Sequence, residues 1–438
     1  VQSDPAAEPA TPPAIHDSER QRSGERWPTS LRLLVAALIV LRVLSALVAL
    51  GVTDAETSNP LGGGDIRRYE QIAGIEGQPW GDGAVEYPLV SVALIELVTV
   101  DDTATTEALV VLASLVFDLA AAAALFWGFG RRTGTAYLLI GLPFAAFPFV
   151  LWRIDLLSVA LTALALAMLA RRRETGGGAV LALGALAKLW PVVLGGWLLV
   201  ERRWRGLTAA LGVGIVGLAA WTAIGGAAGV SQVVSFRGAT GWQVESLPGM
   251  LHHVVAPESF RFEAGALRTG VSPGWARLAL PALALVTVAL AWLWAWIRLA
   301  RLEAEGTVPS DERWLILGRA GTAAVTAMLV FAPIYSPQYA AWLLVPAAIA
   351  AASGDRTTGW LTAAIVATST IGYQAIGGQI DRELLAVGPV LVRNALTVAL
   401  LCVTMSRLVP DARLDDVASV EGDDDARRAT LAPGGQPG

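Results

Sequence analysis

Ala179-Val180-Leu181-Ala182-Leu183-Gly184-Ala185-Leu186-Ala187-Lys188-Leu189-Trp190-Pro191-Val192-Val193-Leu194-Gly195-Gly196-Trp197-Leu198-Leu199-Val200 has the length and apolar character of a membrane span. Lysine, tryptophan and proline stand at its middle. A basic cluster flanks each end, Arg171-Arg172-Arg173 before and Arg202-Arg203-Trp204-Arg205 after. Cytoplasmic loops concentrate Lys and Arg, so two basic flanks cannot both be cytoplasmic if the segment crosses once. It therefore reads as a re-entrant pair of half-helices broken near Lys188 to Pro191, a geometry tolerated where protein or a water-filled cavity shields the freed backbone. The alternative, a single crossing, would put the loops 53–106 and 229–273 on opposite faces.

Working outward from this segment, apolar runs at 31–52, 107–128, 134–151, 154–170, 207–228, 274–300, 313–333, 338–352, 357–376 and 388–406 approach the length needed to cross roughly 30 Å of hydrocarbon. All should be helical, because backbone polar groups in lipid must be satisfied within the segment. The expectation is an all-α polytopic membrane protein with about ten full spans plus the re-entrant pair. With the re-entrant reading, Arg131/Arg132, Arg171 to Arg173, Arg202 to Arg205, Arg298/Arg301, Arg356 and Arg407 face the cytoplasm, as do both termini. The loops 53–106, 152–154, 229–273, 334–337 and 377–387 share the external side. Within the first of these, 65–77 and 87–100 suit interfacial helices lying along the membrane plane.

Composition agrees with this class. The 438 residues are 54% hydrophobic and 16% charged, with a mean hydropathy of +0.55, far more apolar than a soluble domain of this length. The net charge of -5 carries no nucleic-acid footprint. A single cysteine, Cys402, excludes a disulfide framework or a thiolate metal cluster. Residues 1–30 and 407–438 read as disordered cytoplasmic tails around a membrane domain at 31–406, the second tail acidic through Asp423-Asp424-Asp425. The run 31–52 is too long for the core of a cleaved signal peptide and reads as a retained anchor.

Polar residues that a membrane bundle does not need for stability gather in the external loops. Asp65 follows Gly62-Gly63-Gly64 at the mouth of the first span. It can cap a helix beginning Ile66-Arg67-Arg68-Tyr69, or take a proton from an attacking hydroxyl. Arg67 and Arg68 either snorkel toward headgroups or grip a phosphate. Glu86-Tyr87-Pro88 is a loop-to-helix junction or part of a site. Arg153 and Asp155 would close a short turn as an ion pair or serve a ligand.

Lys188, beside Trp190, needs a carboxylate, carbonyls or an anionic ligand at its depth. The loop 229–273 carries Arg237, Trp242, Gln243, Glu245, Ser246, His252 and His253. Adjacent histidines diverge by about 100° on a helix and make a poor metal pair, so no metal is expected. Pro333-Ile334-Tyr335-Ser336-Pro337-Gln338-Tyr339 suggests a lined cavity. Arg42 and Asp118, inside spans, either pair or face a cavity.

Together these stretches resemble the C-type glycosyltransferases and, within them, glycosyltransferase family 87, the actinobacterial polyprenyl-phosphate-mannose-dependent mannosyltransferases. The resemblance rests on Gly64-Asp65 to Tyr69, Glu86-Tyr87-Pro88, Arg153-Ile154-Asp155 followed by Ala187-Lys188-Leu189-Trp190-Pro191, and Ser336-Pro337-Gln338-Tyr339 with Trp342. It implies a GT-C-like fold and an enzyme of the plasma membrane that moves a sugar, most simply mannose, from a polyprenyl-phosphate donor to a hydroxyl of a lipid-linked glycan or glycolipid on the external face, with inversion. It also implies that Asp65 is the general base. Donor and acceptor binding would then fall to Arg67, Arg68, Tyr69, Glu86, Tyr87, Arg153, Asp155, Lys188, Trp190, Glu245, Ser246, Gln338 and Tyr339. No cofactor is implied beyond the lipid-linked donor. Family members that elongate phosphatidylinositol mannosides carry a histidine-containing segment where this chain has Gln338-Tyr339-Ala340-Ala341-Trp342. An arabinofuranosyl donor is an alternative sugar. A flippase of lipid-linked sugars is an alternative class, since broken helices suit transport, but no second, inverted copy of the Asp65 or Lys188 surroundings is evident.

Overall fold

A computed structural model of the chain describes residues 27–51, 64–256, 260–374 and 384–409. Of the expected tails 1–30 and 407–438, residues 1–26 and 410–438 lie outside the described residues, as do Gly62, Gly63 and most of the loop 377–387.

Among the described residues, six helices are long and apolar enough to cross a membrane: Thr29–Gly51, Thr103–Phe129, Trp204–Val234, Gly274–Glu305, Ser310–Phe331 and Val387–Ser406. The other expected spans are shorter, interrupted or less apolar. The run 134–151 divides into Arg131–Ile140, Leu142–Ala146 and a 3-10 turn at Pro148–Trp152, because Gly141, Pro143 and Pro148 each withdraw support from a continuous helix. The run 338–352 begins as a 3-10 helix, Pro337–Leu343, and becomes α-helical only over Leu344–Ala352. Asp155–Ala170 has 16 residues, a rise of ~24 Å. Arg356–Gln374 has adequate length but is rich in threonine, and Thr362, Thr368 and Thr370 donate to carbonyls of their own helix.

The segment 179–200 breaks where its composition demands. Helix Glu174–Ala187 stops at Lys188, whose backbone is extended, and the chain continues as a 3-10 turn, Trp190–Gly195, and a short helix, Gly196–Val200. It has by then doubled back. Arg203 bonds Glu174 at 2.8 Å, Gly178 lies against the carbonyl of Gly206, and farther along Gly217 lies against Leu186. Helices Glu174–Ala187 and Trp204–Val234 thus start together and run side by side, in contact through glycines that admit no Cβ between them.

One end of the bundle collects the arginines. Arg171 donates to the carbonyl of Trp127 at 2.6 Å and Arg313 pairs with Glu201 at 2.6 Å and Glu303 at 2.9 Å. Arg319 and Arg407 share Asp355, and Arg298 donates to the carbonyl of Arg407. Halfway up, Arg42 and Asp118 pair at 2.7 Å, and Tyr137 donates to the same carboxylate at 2.6 Å.

The opposite end carries the helices Asp65–Ala73 and Leu89–Val98, close to the two expected interfacial helices. It also holds an element the all-helical expectation lacked. Strands β1 (Trp242–Gln243), β2 (Arg261–Glu263) and β3 (Ala266–Thr269) form an antiparallel sheet in the order β1-β3-β2. Ala264 and Gly265 both take positive φ between β2 and β3, the requirement of a tight hairpin turn. Alanine in place of the usual asparagine or aspartate conceals that turn in the sequence.

Candidate active site

Gly64 occupies the cap of helix Asp65–Ala73 and makes no side-chain cap bond, so Asp65 is a first-turn residue rather than the cap. A carboxylate in the first turn is favoured by the helix dipole, but its side chain is committed elsewhere: it pairs with the guanidinium of Arg153. The arginine side chain is only 8% exposed and the aspartate side chain 26%, so the pair is anchored on the cationic side and open on the anionic side. Arg153 follows the 3-10 turn Pro148–Trp152. It donates to the hydroxyl of Tyr373 at 3.1 Å and lies over that ring, while its carbonyl accepts from Ser114 at 2.8 Å.

One residue further, the chain turns into helix Asp155–Ala170. Asp155 is buried and needs partners on both oxygens. Lys188 supplies one, 3.3 Å from Oδ1 and 3.5 Å from Oδ2, and the indole N–H of Trp342 donates at 3.2 Å. Arg153 and Asp155 thus each find a partner from a distant element, where the sequence suggested a local pair closing the turn. The Lys188 ammonium also faces the rings of Tyr87 at 5.0 Å and Tyr339 at 5.3 Å, contacts that stabilise a desolvated cation. Trp342 stacks between Tyr339 and Trp190, with centroids 4.1 and 5.7 Å away, and Trp190 donates to Ser158 at 2.9 Å.

The loop that carries Tyr69 and Tyr87 closes over this cluster. The Tyr69 hydroxyl accepts from the backbone N–H of Ile154 at 3.3 Å, and its ring meets Tyr87 edge-on. Burial, reinforced by neighbouring carboxylates, pushes both phenols well above their ordinary range, so both remain protonated donors. At the rim, Arg68 grips Glu86 through two bonds, at 3.0 and 2.7 Å, and Arg237 approaches the same carboxylate at 3.5 Å. Arg237 holds a left-handed backbone, φ 57°, unusual for a side chain of its size.

A second cluster lies under the loop that carries the sheet. Glu245 is buried: Gln243 donates to its Oε2 at 3.1 Å, and its Oε1 has no hydrogen-bond partner among the described residues. Burial raises its pKa to about 7 against the pull of Arg393 and Arg153. Gln243 also donates to Ser336 at 2.9 Å and accepts from the N–H of Tyr335 at 2.7 Å, tying this loop to the turn that begins at Pro333. Arg393 and Asn394 donate to the carbonyl of Glu245.

The structure therefore brings together Asp65, Tyr69, Tyr87, Arg153, Asp155, Lys188, Trp190 and Tyr339, with Arg68 and Glu86 at the rim and Glu245 behind. Three candidates stand apart. Arg67 is exposed and makes no side-chain bond among the described residues. Ser246 caps helix Leu247–Val255 by accepting from Gly249 N–H. Gln338 is half-buried without a side-chain hydrogen bond among the described residues. Tyr373, absent from the sequence candidates, carries no signal beyond an aromatic ring at a span end. Arg393, also absent from them, does carry one, being an arginine within an apolar run. Among the described residues, no group of three His, Cys, Asp or Glu side chains could hold a metal ion.

Apolar helices topped by two partly exposed carboxylates, Asp65 and Glu86, among paired cations and aromatic rings describe a membrane protein with a polar face. Residues 86–308, more than half of the chain, match glycosyltransferase family 87, and the chain belongs to that family. The matched stretch holds Glu86, Tyr87, Arg153, Asp155, Lys188, Trp190, Glu245 and Ser246, while Asp65 and the turn from Ser336 to Trp342 lie beyond it. No curated protein matches the chain.

Proposed function

We propose that this glycosyltransferase takes a sugar, mannose in the simplest reading, from a polyprenyl-phosphate donor and transfers it with inversion to a hydroxyl of a glycolipid or lipid-linked glycan at the external face of the plasma membrane. The observation that carries this reading is the Asp65–Arg153 pair, whose carboxylate is partly exposed and whose arginine is buried next to the Asp155–Lys188 pair. The acceptor oxygen attacks the anomeric carbon opposite the phosphate and loses its proton to Asp65. The anomeric carbon–oxygen bond breaks with its electrons passing to the phosphate. A lipid phosphate leaves as an already stable anion, so one base suffices, and fixed cations at the departing charge lower the barrier. Arg153 and Lys188 are the cations at hand, and Tyr69 and Tyr87 supply neutral donors.

The arginine partner gives donor binding a second effect. A phosphate that engages Arg153 competes with Asp65 for the same guanidinium, so the base would be released only when the leaving group is in place. The doubling back of 174–200, with basic flanks on one end, supports a re-entrant pair opening from the cytoplasmic side.

The test is incubation of the purified chain in lipid with several polyprenyl-phosphate sugars and a total actinobacterial lipid extract, followed by product mass. A product one hexose heavier, formed only with the polyprenyl-phosphate hexose and inverted at the anomeric centre, is expected. Transfer from a nucleotide sugar alone would overturn the donor assignment.

A further inference from the structure

At the opposite end from the candidate active site, the two turns that the doubling back places side by side enclose a concavity of about 640 Å³, lined by Arg172, Arg173, Thr175, Arg202, Trp204 and Arg205 among others. The turns are built alike. Arg173 N–H bonds the Met168 carbonyl and Arg203 N–H the Leu198 carbonyl, both at 2.8 Å, and the residue before each takes left-handed φ, 57° at Arg172 and 52° at Arg202. Glycine is the ordinary occupant of that helix-ending position because it has no Cβ to strain. The related turn at Gly354 has glycine there. Arginine in both turns facing one cavity is a costly choice for chain reversal alone.

Three further observations point to an anion. The side chains of Arg172, Arg202 and Arg205 have no hydrogen-bond or ion-pair partner among the described residues, whereas Glu174 on the cavity wall is already paired with Arg203. Two helices, Glu174–Ala187 and Trp204–Val234, begin at the cavity, and neither has a side-chain cap; the Trp204 N–H bonds the Arg202 carbonyl at 3.0 Å, and the positive ends of both dipoles face the cavity. The Trp204 indole stands at the rim, 58% exposed, as interfacial tryptophans do where headgroups meet acyl chains.

We infer that this cavity binds a phosphate group, and that its source is the headgroup of an anionic lipid in the leaflet around the basic end. Basic pockets between helices on that side are suited to such headgroups. The inference rests on the membrane setting of the chain and not on the sugar-transfer reading, so either can fail without the other.

The test uses the full chain in phosphatidylcholine vesicles with or without phosphatidylglycerol. Lipids retained are read by native mass spectrometry and the thermal midpoint is read in parallel. An arm with inorganic phosphate separates a free anion from a lipid. The variant is Arg172→Gly with Arg202→Gly, because glycine accepts the left-handed conformation without strain and the turns should survive; Arg205→Gln is a second, independent variant. Arg132→Gln with Arg356→Gln serves as control, since both residues are exposed at the same end but outside the cavity.

Retention of phosphatidylglycerol weakened about tenfold or more by either cavity variant, and unaffected by the control, is the expected result. Stabilisation by inorganic phosphate that matches the lipid effect and disappears in the cavity variants would keep the phosphate site and overturn the lipid source. Equal losses in cavity and control variants, or no loss in either, would overturn the site.

Discussion

Arg153 and Asp65 hold one another across the end of the bundle opposite the arginines, the buried guanidinium set among Tyr373, Ser114 and the helix start at Asp155, the aspartate left open on one side. The carboxylate is thereby fixed in position without being closed off, which suits the proposed role of a base that meets an incoming hydroxyl.

Asp65→Asn is expected to fold and to bind donor, with transfer lower by about 100-fold or more, the usual scale for loss of a general base. Gly64, not Asp65, caps the helix, so a change in transfer cannot be ascribed to a lost cap. Comparison of initial rates and thermal midpoints in the parent and the variant checks this. Full activity in a stable variant would end the assignment of Asp65 as base.

Lys188→Met should weaken donor binding more than acceptor binding, and it should also destabilise the fold. Removing one partner of a buried pair typically costs ~3–5 kcal/mol, and Asp155 is almost wholly buried. Adding Asp155→Asn to Lys188→Met should restore most of the thermal midpoint without restoring the donor constant. If the double variant regains normal donor affinity, Lys188 holds the fold and not the phosphate.

Glu245 supplies a pH dependence with a definite sign. Its folded pKa, raised by burial to about 7 from 4.5, means the native state keeps a proton that the unfolded chain has lost between those values. Stability from this group is fully present below about pH 4.5 and is lost as pH rises toward 7, a change on the order of 3 kcal/mol. Glu245→Gln cannot titrate, so its thermal midpoint should fall less between pH 5 and pH 7 than that of the parent. Parallel slopes for the two proteins would place the titration elsewhere.

The two ends of the bundle should be separable by an impermeant thiol reagent in a background where Cys402 is replaced. Arg67→Cys, at an exposed site beside Asp65, should label from outside the cell. Arg172→Cys and Arg205→Cys, on the two turns joined by the doubling back, should both be protected until the membrane is opened. Outside labelling of position 205 with protection of 172 would restore the single-crossing alternative.

The parts of this architecture legible in the sequence are those that obey a one-dimensional rule. Lys188 and Pro191 between two arginine clusters announced the break at 188, because charge placement and a missing N–H act locally. The first outer loop disclosed Asp65 and Glu86 for the same reason: polar groups at a span mouth stand out against apolar neighbours. Partnership did not follow from the same reading. Arg153 and Asp155 are two residues apart, and nothing in that spacing shows that one turns to Asp65 and the other to Lys188 and Trp342. Tyr373 and Gln243 belong to the site only through tertiary contacts. The hairpin at Ala264-Gly265 lacked its customary turn residues, and the fragmentation of 134–151 depended on Gly141, Pro143 and Pro148 acting together.

Helix Asp155–Ala170 leads from the end that carries the candidate site to the arginine end in 16 residues, a rise of ~24 Å against a hydrocarbon layer of roughly 30 Å. Either the surrounding lipid thins at this helix or the plane of Asp155 and Lys188 sits several ångströms beneath the headgroups. In the second geometry the phosphate and sugar of the proposed lipid-borne donor, which rest at the headgroup plane, must sink to reach Asp155 and Lys188, and the acceptor hydroxyl must follow them. The enzyme would then be more sensitive to bilayer thickness than to donor chain length, with thick membranes burying the meeting point farther from a water-soluble portion of the acceptor.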